Sequence, residues 1–280
     1  MRPRFSNKML LSISWSWIGA EMADPRKTCV LIAYAPALVR GDRRTLAATH
    51  AMERAVPGLR LDRTISDDGT VLALPQRDAW LTDAAARMEL PMLCNGDEDA
   101  LVTFYGLDGS AGSSPGGLPV FEIHAEVPPA IATTSSLRDA LVSVSEAADA
   151  FWARVLPEGL ALIVARQFHH RGDEPHSPPR GLPSLKLPWE LRSPDVPHYL
   201  GWLNYWSAAT ARLLGFPDAT RDAELLTRSR RTASGGWLVQ LTEAPLDLDD
   251  PAHLDALLRA YARFPEIGGR APFAAGPVSR

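Results

Sequence analysis

The sequence predicts an α+β protein with mixed or antiparallel sheets, helices packed on one face, and two strand-helix halves. Three observations lead to this fold class. CVLIAYAP at 29–36 is continuously apolar, as in a buried strand. PVFEIHAEVP at 119–128 alternates polar and apolar residues, which is typical of a strand with one wet face. SSLRDALVSVSEAADAFWARVLPEG at 135–159 repeats apolar residues at helical spacing.

The first elements follow from local signals. After the strand at 29–36, GDRRTLAATHAMERAVPG predicts a helix that Asp42 caps and a Pro-Gly pair ends. LRLDRTIS and TVLALP flank Asp67, Asp68 and Gly69, and Asp-Gly accepts the positive φ angles of a tight turn. A hairpin is therefore expected here.

The middle of the chain continues this pattern. QRDAWLTDAAARM predicts a second helix, and ALVTFYG at 100–106 predicts a strand that a Gly-Ser-Pro loop joins to the strand at 119–128. The helix at 135–159 begins with a serine cap, and LALIVARQF at 160–168 is expected to be a buried strand.

The composition of the chain changes after residue 168. Residues 169–198 contain seven prolines, which predicts an ordered crossing loop with GLPSLKLP lying extended on the surface. LGWLNYWSAATARLLGF at 200–216 is interpreted as a helix, and WLVQLTEAP at 237–245 as a strand. The final helix is expected to run from Asp250, its cap, to about Phe264.

The aromatic segment raises the question of function. Trp202, Tyr205, Trp206, Ala209 and Leu213 fall on one stripe of the expected helix. Such a stripe is either core packing or a surface that stacks a ligand, and its width favours the core.

Composition narrows the function classes. The formal net charge of −4 and the pI near 6.0 provide no basic field for nucleic acid or an anionic membrane. Cys29 and Cys94 lie in or beside apolar runs, which favours a reducing compartment and hence the cytoplasm. Residues 1–21 are interpreted as a disordered leader or a mis-assigned start, and the alternative is a signal peptide with export.

The expected organisation has three parts after that leader. Residues 22–168 form an N-terminal half, 169–198 the proline-rich crossing loop, and 199–280 a C-terminal half. We expect the two halves to pack as one compact unit.

The densest chemical groups lie in HHRGDEPH. His169, His170 and His176 could hold a metal that activates water for hydrolysis. A proline-rich loop provides little of the rigidity that such sites need, so a solvated loop tip is favoured and the hydrolase is kept as an alternative.

No catalytic residue or cofactor is predicted. Ser207 and Ser234 lack a G-x-S-x-G setting, and Asp250 in the acidic run LDLDDP is explained as a helix cap.

The order of these parts resembles a bacterial family of unknown function. Its members carry a segment like GWLNYWSAATARLLG, then GGWLVQLTEAPLDLDDPAHLDALLRAYARFP, and a front end like LIAYAPALV and LALPQRDAWL. This resemblance covers the chain from about residue 29.

The C-terminal third is also similar, more distantly, to polymorphic-toxin immunity protein family 52 and to type VI secretion immunity proteins. The residues that carry the similarity are Gly201, Trp202, Tyr205, Ser207, Gly235, Gly236, Asp247, Asp249, Pro251 and His253. It does not extend to the N-terminal half.

This similarity implies an α+β protein without catalysis or cofactor that binds and blocks a cognate toxin. An acidic protein suits a basic toxin, since complementary charge accelerates their encounter. The residues expected to contact such a partner are carboxylates in turns: Asp67, Asp68, Asp97, Glu98 and Asp99.

Overall fold

A computed structural model describes residues 28–66, 68–168 and 178–267. Its strands are β1 (Cys29–Pro36), β2 (Arg63–Ile65), β3 (Val71–Ala73), β4 (Leu93–Cys94), β5 (Thr103–Gly109), β6 (Val120–Val127), β7 (Trp152–Pro157), β8 (Leu203–Trp206), β9 (Arg230–Arg231) and β10 (Trp237–Gln240). Its α-helices are α1 (Arg44–Ala55), α2 (Arg77–Ala85), α3 (Thr134–Ala147), α4 (Ala161–Phe168), α5 (Ala208–Leu213), α6 (Ala223–Leu226) and α7 (Pro251–Arg263).

The ten strands form one antiparallel sheet in the order β3-β2-β4-β5-β6-β1-β7-β8-β10-β9. β1 lies at its centre between β6 and β7, so that Leu31 is opposite both Ala125 and Val155. A central strand is covered on both faces, which explains why its sequence is apolar throughout. The predicted α+β class is confirmed.

The pairing of β7 with β8 joins the strands that precede the proline-rich segment to those that follow it. Trp152 of β7 lies opposite Trp206 of β8, and Trp206 lies opposite Trp237 of β10. One sheet therefore runs through both parts of the chain.

Helices α1 and α3 pack together on one face of the sheet, which we call the helix face. Leu137, Leu141 and Val144 of α3 are buried there. Two polar contacts fix α3 to the C-terminal strands: Arg138 Nε donates to Gln240 Oε1 at 2.6 Å, and Ser234 Oγ donates to Glu146 Oε1 at 2.6 Å.

The other side of the sheet, which we call the opposite face, is covered over β7 and β8 by the C-terminal part of the chain. Phe264, after α7, packs edge-on against Trp206 at 5.0 Å between ring centroids. Tyr199 contacts both Trp152 and Phe168 of α4. This side of the core is built largely from aromatic rings.

The predicted helix at 200–216 is wrong. Leu203–Trp206 is a strand, and the helix begins only at Ala208, with Ser207 as its cap. Trp202 and Trp206 are four residues apart, an even separation that places side chains on one face of a strand as well as of a helix. Residues 203–206 form a strand rather than a helix because they pair with β7 on one side and β10 on the other.

Two neighbouring predictions are also wrong. The expected helix at 135–159 ends at Ala147; after a reversal in which Asp149 has φ 52°, Trp152–Pro157 forms a strand that is buried at every residue. A wholly buried strand has no alternation, so its sequence did not distinguish it from helix. The expected strand at 160–168 is α4, in which Leu162 is exposed.

The proline-rich segment is more deeply packed than expected. The structure describes it from residue 178, and its Leu182, Leu185 and Leu191 are buried rather than lying on the surface. The carbonyl oxygen of Pro194 accepts a hydrogen bond from Trp152 Nε1 at 3.1 Å. The segment is thus part of the core over the opposite face.

Several local predictions are confirmed. β2 and β3 form the expected hairpin, with Gly69 at φ +84° in its turn. β6 alternates as expected, and Asp250 caps α7 by accepting from the N–H of Ala252 at 2.8 Å. The cap of α1 differs slightly, because Asp42 accepts from the N–H of Arg44 but Arg43 occupies the cap position. Among the described residues, no helix is long and apolar enough to cross a membrane.

Candidate functional site

The glycine and aromatic residues of the motif in the C-terminal third lie in or beside β8 and β10. A Cβ at Gly201 would lie 2.8 Å from the Val155 carbonyl oxygen, and one at Gly236 would lie 2.6 Å from the Trp206 carbonyl oxygen. Both positions therefore need glycine so that neighbouring backbone can approach. Gly235 adopts φ +86° in the turn between β9 and β10.

The aromatic members of the motif are buried. Trp202 and Trp206 are fully buried, and Trp202 Nε1 donates to the Thr242 carbonyl oxygen at 2.8 Å. The Tyr205 hydroxyl lies on the helix face, 3.5 Å from Ser234 Oγ. These groups hold the C-terminal strands in place and leave no ring free to stack a ligand.

The histidines of the alternative metal site, His169, His170 and His176, lie outside the described residues. Within the described parts of the chain, no group of three or more His, Cys, Asp or Glu side chains could hold a metal ion.

The carboxylates expected to bind a partner are separated by the fold. Asp68 lies in the turn of the β2–β3 hairpin, where Ser66 Oγ donates to it and lowers its pKa. Asp97, Glu98 and Asp99 lie in the β4–β5 loop, beyond the opposite end of β2. Asp67 lies outside the described residues.

The β4–β5 loop places its three acids at one end of the sheet, where two further carboxylates occur. Thr103, which follows the loop, pairs with Glu126 near the end of β6, and Glu158 follows the end of β7. We call Asp97, Glu98, Asp99, Glu126 and Glu158 the acidic rim. The sequence analysis had named the three loop acids as candidate partner contacts. The register of the sheet places Glu126 and Glu158 at the same end.

Among the described residues, no cation forms an ion pair with Glu126 or Glu158 of the rim. Burial raises the pKa of Glu126, and the negative charge of Glu158 raises it further, against a smaller opposing effect of His124. Partial desolvation also raises the pKa of Glu158. In the described structure neither carboxylate has a hydrogen-bond or ion-pair partner.

An aromatic pair adjoins the rim on the opposite face of the sheet. Tyr105 and His124 are cross-strand neighbours whose rings stack at 5.2 Å, and His124 Nε2 lies 3.1 Å from Glu122 Oε2. Burial raises the pKa of Tyr105, and the charges of Glu126 and Glu122 raise it further. The alternation of β6 had identified this wet face, although nothing in the sequence placed it beside the β4–β5 loop.

A different arrangement occupies the covered part of the same face. Arg154 is 7% exposed, its guanidinium lies 4.2 Å from the centre of the Tyr199 ring, and its Nε has no hydrogen-bond partner among the described groups. Burial lowers the pKa of the neighbouring His198 to about 3, and the charge of Arg154 contributes. His198 is therefore neutral in the folded protein at pH 7.

The family model described as Domain of unknown function (DUF5953) matches residues 40–272, so the chain belongs to that family. The resemblance to an uncharacterised family is confirmed. No curated protein sequence matches the chain.

A solved structure shares the fold. The Pseudomonas aeruginosa T6SS protein PA0821 superposes with a TM-score of 0.54 at 13% sequence identity, covering 86% of this chain and 73% of that one. At this identity the likeness concerns the fold alone. The similarity to toxin immunity families stays a prediction.

Proposed function

We propose that this DUF5953 protein is a non-enzymatic binding protein of the immunity type, which neutralises a cognate bacterial toxin held at the acidic rim. The observation that carries the proposal is the environment of the Glu126 side chain. Its carboxylate is partly buried, lies in the field of Glu158, and has no partner among the described residues.

A basic side chain from another protein would supply the missing positive charge. Partly buried carboxylates interact strongly with an incoming cation, because the local dielectric is lower than that of water. The stacked rings of Tyr105 and His124 beside the rim offer aromatic contact area. Tyrosine is enriched in protein–protein interfaces. A toxin with a basic surface, such as a nuclease, fits this combination.

Two similarities support the biological context. The protein that shares the fold is a T6SS protein, and the motif around β8 resembles that of type VI secretion immunity proteins. In the described structure that motif serves packing, so its role in an immunity protein would be to hold the sheet that presents the rim. We propose the cytoplasm as the compartment, since Cys29 and Cys94 are both buried and are not joined in a disulfide.

Co-expression tests the function directly. Any neighbouring gene that encodes a secreted toxin is expressed with and without the gene for this chain, and growth is followed. We expect this protein to prevent growth arrest and to form a stable complex with the toxin. Persistent arrest together with no complex on size-exclusion chromatography would show that the immunity proposal is wrong.

Charge-neutralised variants test the surface separately. Glu126→Gln with Glu158→Gln should weaken toxin binding at least tenfold and reduce its dependence on salt. The matched control neutralises two exposed carboxylates elsewhere, Asp83→Asn with Glu243→Gln, and should leave affinity unchanged. If both pairs bind the toxin equally well, the toxin contacts another surface.

The hairpin turn is a second proposed contact. Asp68→Asn removes its charge while an amide oxygen can still accept the turn hydrogen bonds. A loss of affinity confined to this variant would place the toxin at the β2–β3 hairpin, and a loss confined to the Glu126 and Glu158 pair would place it at the rim.

A further inference from the structure

A groove lies at the C-terminal end of α1 and shares no lining residue with the acidic rim. It has a volume of about 350 Å³ and is lined by His50, Glu53, Arg54, Gly58, Leu59 and Arg60. Gly58 adopts φ +81°, which reverses the chain after α1 and brings Arg60 to the same groove as Arg54. The proposal made for this groove does not depend on the function proposed above.

The acidic side chains at this groove already have hydrogen-bond partners within the protein. Glu53 Oε1 accepts from Arg77 Nη1 at 2.5 Å and from the N–H of Leu61 at 2.8 Å. Asp78 accepts from Arg77 Nη2 at 2.7 Å, and its other oxygen lies 3.0 Å from His50 Nε2. Neither carboxylate depends on Arg54 or Arg60.

The two arginines that line the groove are Arg54 and Arg60. Both are exposed, and within the described part of the chain neither forms a hydrogen bond or an ion pair. Taken with the internally paired Glu53, Asp78 and Arg77, they leave the groove with an excess of positive charge. A protein with a net charge of −4 thus carries a local basic site.

We propose that this groove binds a phosphate-bearing small molecule through Arg54 and Arg60. Guanidinium groups recognise phosphate oxygens through paired N–H donors, and this geometry makes arginine a preferred phosphate ligand. The groove volume lies in the range that small-molecule sites occupy. The net acidity of the chain disfavours nucleic acid, whose many phosphates need an extended basic surface.

Titration with inorganic phosphate and with pyrophosphate, followed by ¹⁵N-resolved NMR, tests the proposal on the full chain. We expect saturable shifts of the Gly58, Leu59 and Arg60 amides, with pyrophosphate binding more tightly than phosphate. Sodium chloride at equal ionic strength should not reproduce them. Shifts of equal size in chloride, or shifts confined to other parts of the protein, would overturn the proposal.

Variants and a competing ligand complete the test. Arg54→Ala with Arg60→Ala should weaken pyrophosphate binding at least tenfold, whereas Arg212→Ala, which removes an exposed arginine from α5, should not change it. Unchanged affinity in the double variant, with its spectrum showing a folded protein, overturns the proposal. If a short single-stranded oligonucleotide bound the groove more tightly than pyrophosphate, the ligand would be a nucleic acid and the small-molecule proposal would be wrong.

Discussion

The two ends of the opposite face of the sheet differ in what covers them. Over β7 and β8, Trp152 and Trp206 lie beneath the proline-rich segment and the end of α7, and both are fully buried. Over β5 and β6, Tyr105, His124 and Glu126 remain partly exposed, and among the described residues Glu126 has no ion-pair partner.

This difference separates stability from function. Burial of the covered end removes apolar area from water and stabilises the fold. At the rim the charged groups disfavour one another, so they cost stability unless a partner neutralises them. Residues at functional sites commonly show this kind of local destabilisation.

Removal of a ring from the covered end should have the largest effect. Trp206→Ala should lower the free energy of unfolding by about 3–5 kcal/mol, because it leaves a cavity among Phe216, Trp237 and Phe264. Trp189→Ala, at a tryptophan that is 55% exposed, should cost about 1 kcal/mol or less. Urea unfolding measures both, and equal losses would contradict the contrast between covered and open surface.

Acid should destabilise the covered end through His198. Its pKa is about 3 in the folded protein, against about 6.5 unfolded, so the unfolded chain binds the proton first as pH falls. Stability should therefore be complete above pH 6.5 and decline as pH falls towards 3, by about 2 kcal/mol between pH 6.5 and 4.5.

His198→Phe isolates this contribution, since a ring is kept against Tyr34 and Trp152 while no proton can bind. The difference in unfolding free energy between the variant and the parent protein should change over that pH window. A constant difference would mean that His198 does not contribute to acid sensitivity.

The smallest effect is expected at the rim and has the opposite sign. The raised pKa of Glu126 means that its ionised form is disfavoured on folding, so its contribution to stability falls as pH rises above about 4.5. Glu126→Gln should raise the unfolding free energy at pH 7 by about 0.5 kcal/mol while it weakens toxin binding.

Glu146 is the matched control on α3. Burial tends to raise its pKa, but hydrogen bonds from Ser234 and Thr232 and the charge of Arg230 hold it below the ordinary value. Glu146→Gln should therefore lower stability at pH 7 by about 1 kcal/mol. If Glu146→Gln raised the unfolding free energy, or Glu126→Gln lowered it, the inferred opposite contributions of these two carboxylates to stability would be wrong.

Elements with one clear local signal were predictable. The Asp-Gly hairpin, the alternation of β6 and the cap of α7 depend on residues close in sequence, and each forms as expected. The segment from 148 to 216 was not predictable in this way, because its strands are buried and their pairing partners are distant in sequence.

The sequence alone determined the α+β class, the apolar core and the excess of acidic charge, since composition and local periodicity carry these properties. Only the tertiary structure decided that Leu203–Trp206 is a strand and that Glu126 and Glu158 meet the β4–β5 loop. Strand register brings together residues far apart in the chain, and no local pattern encodes which of them become neighbours.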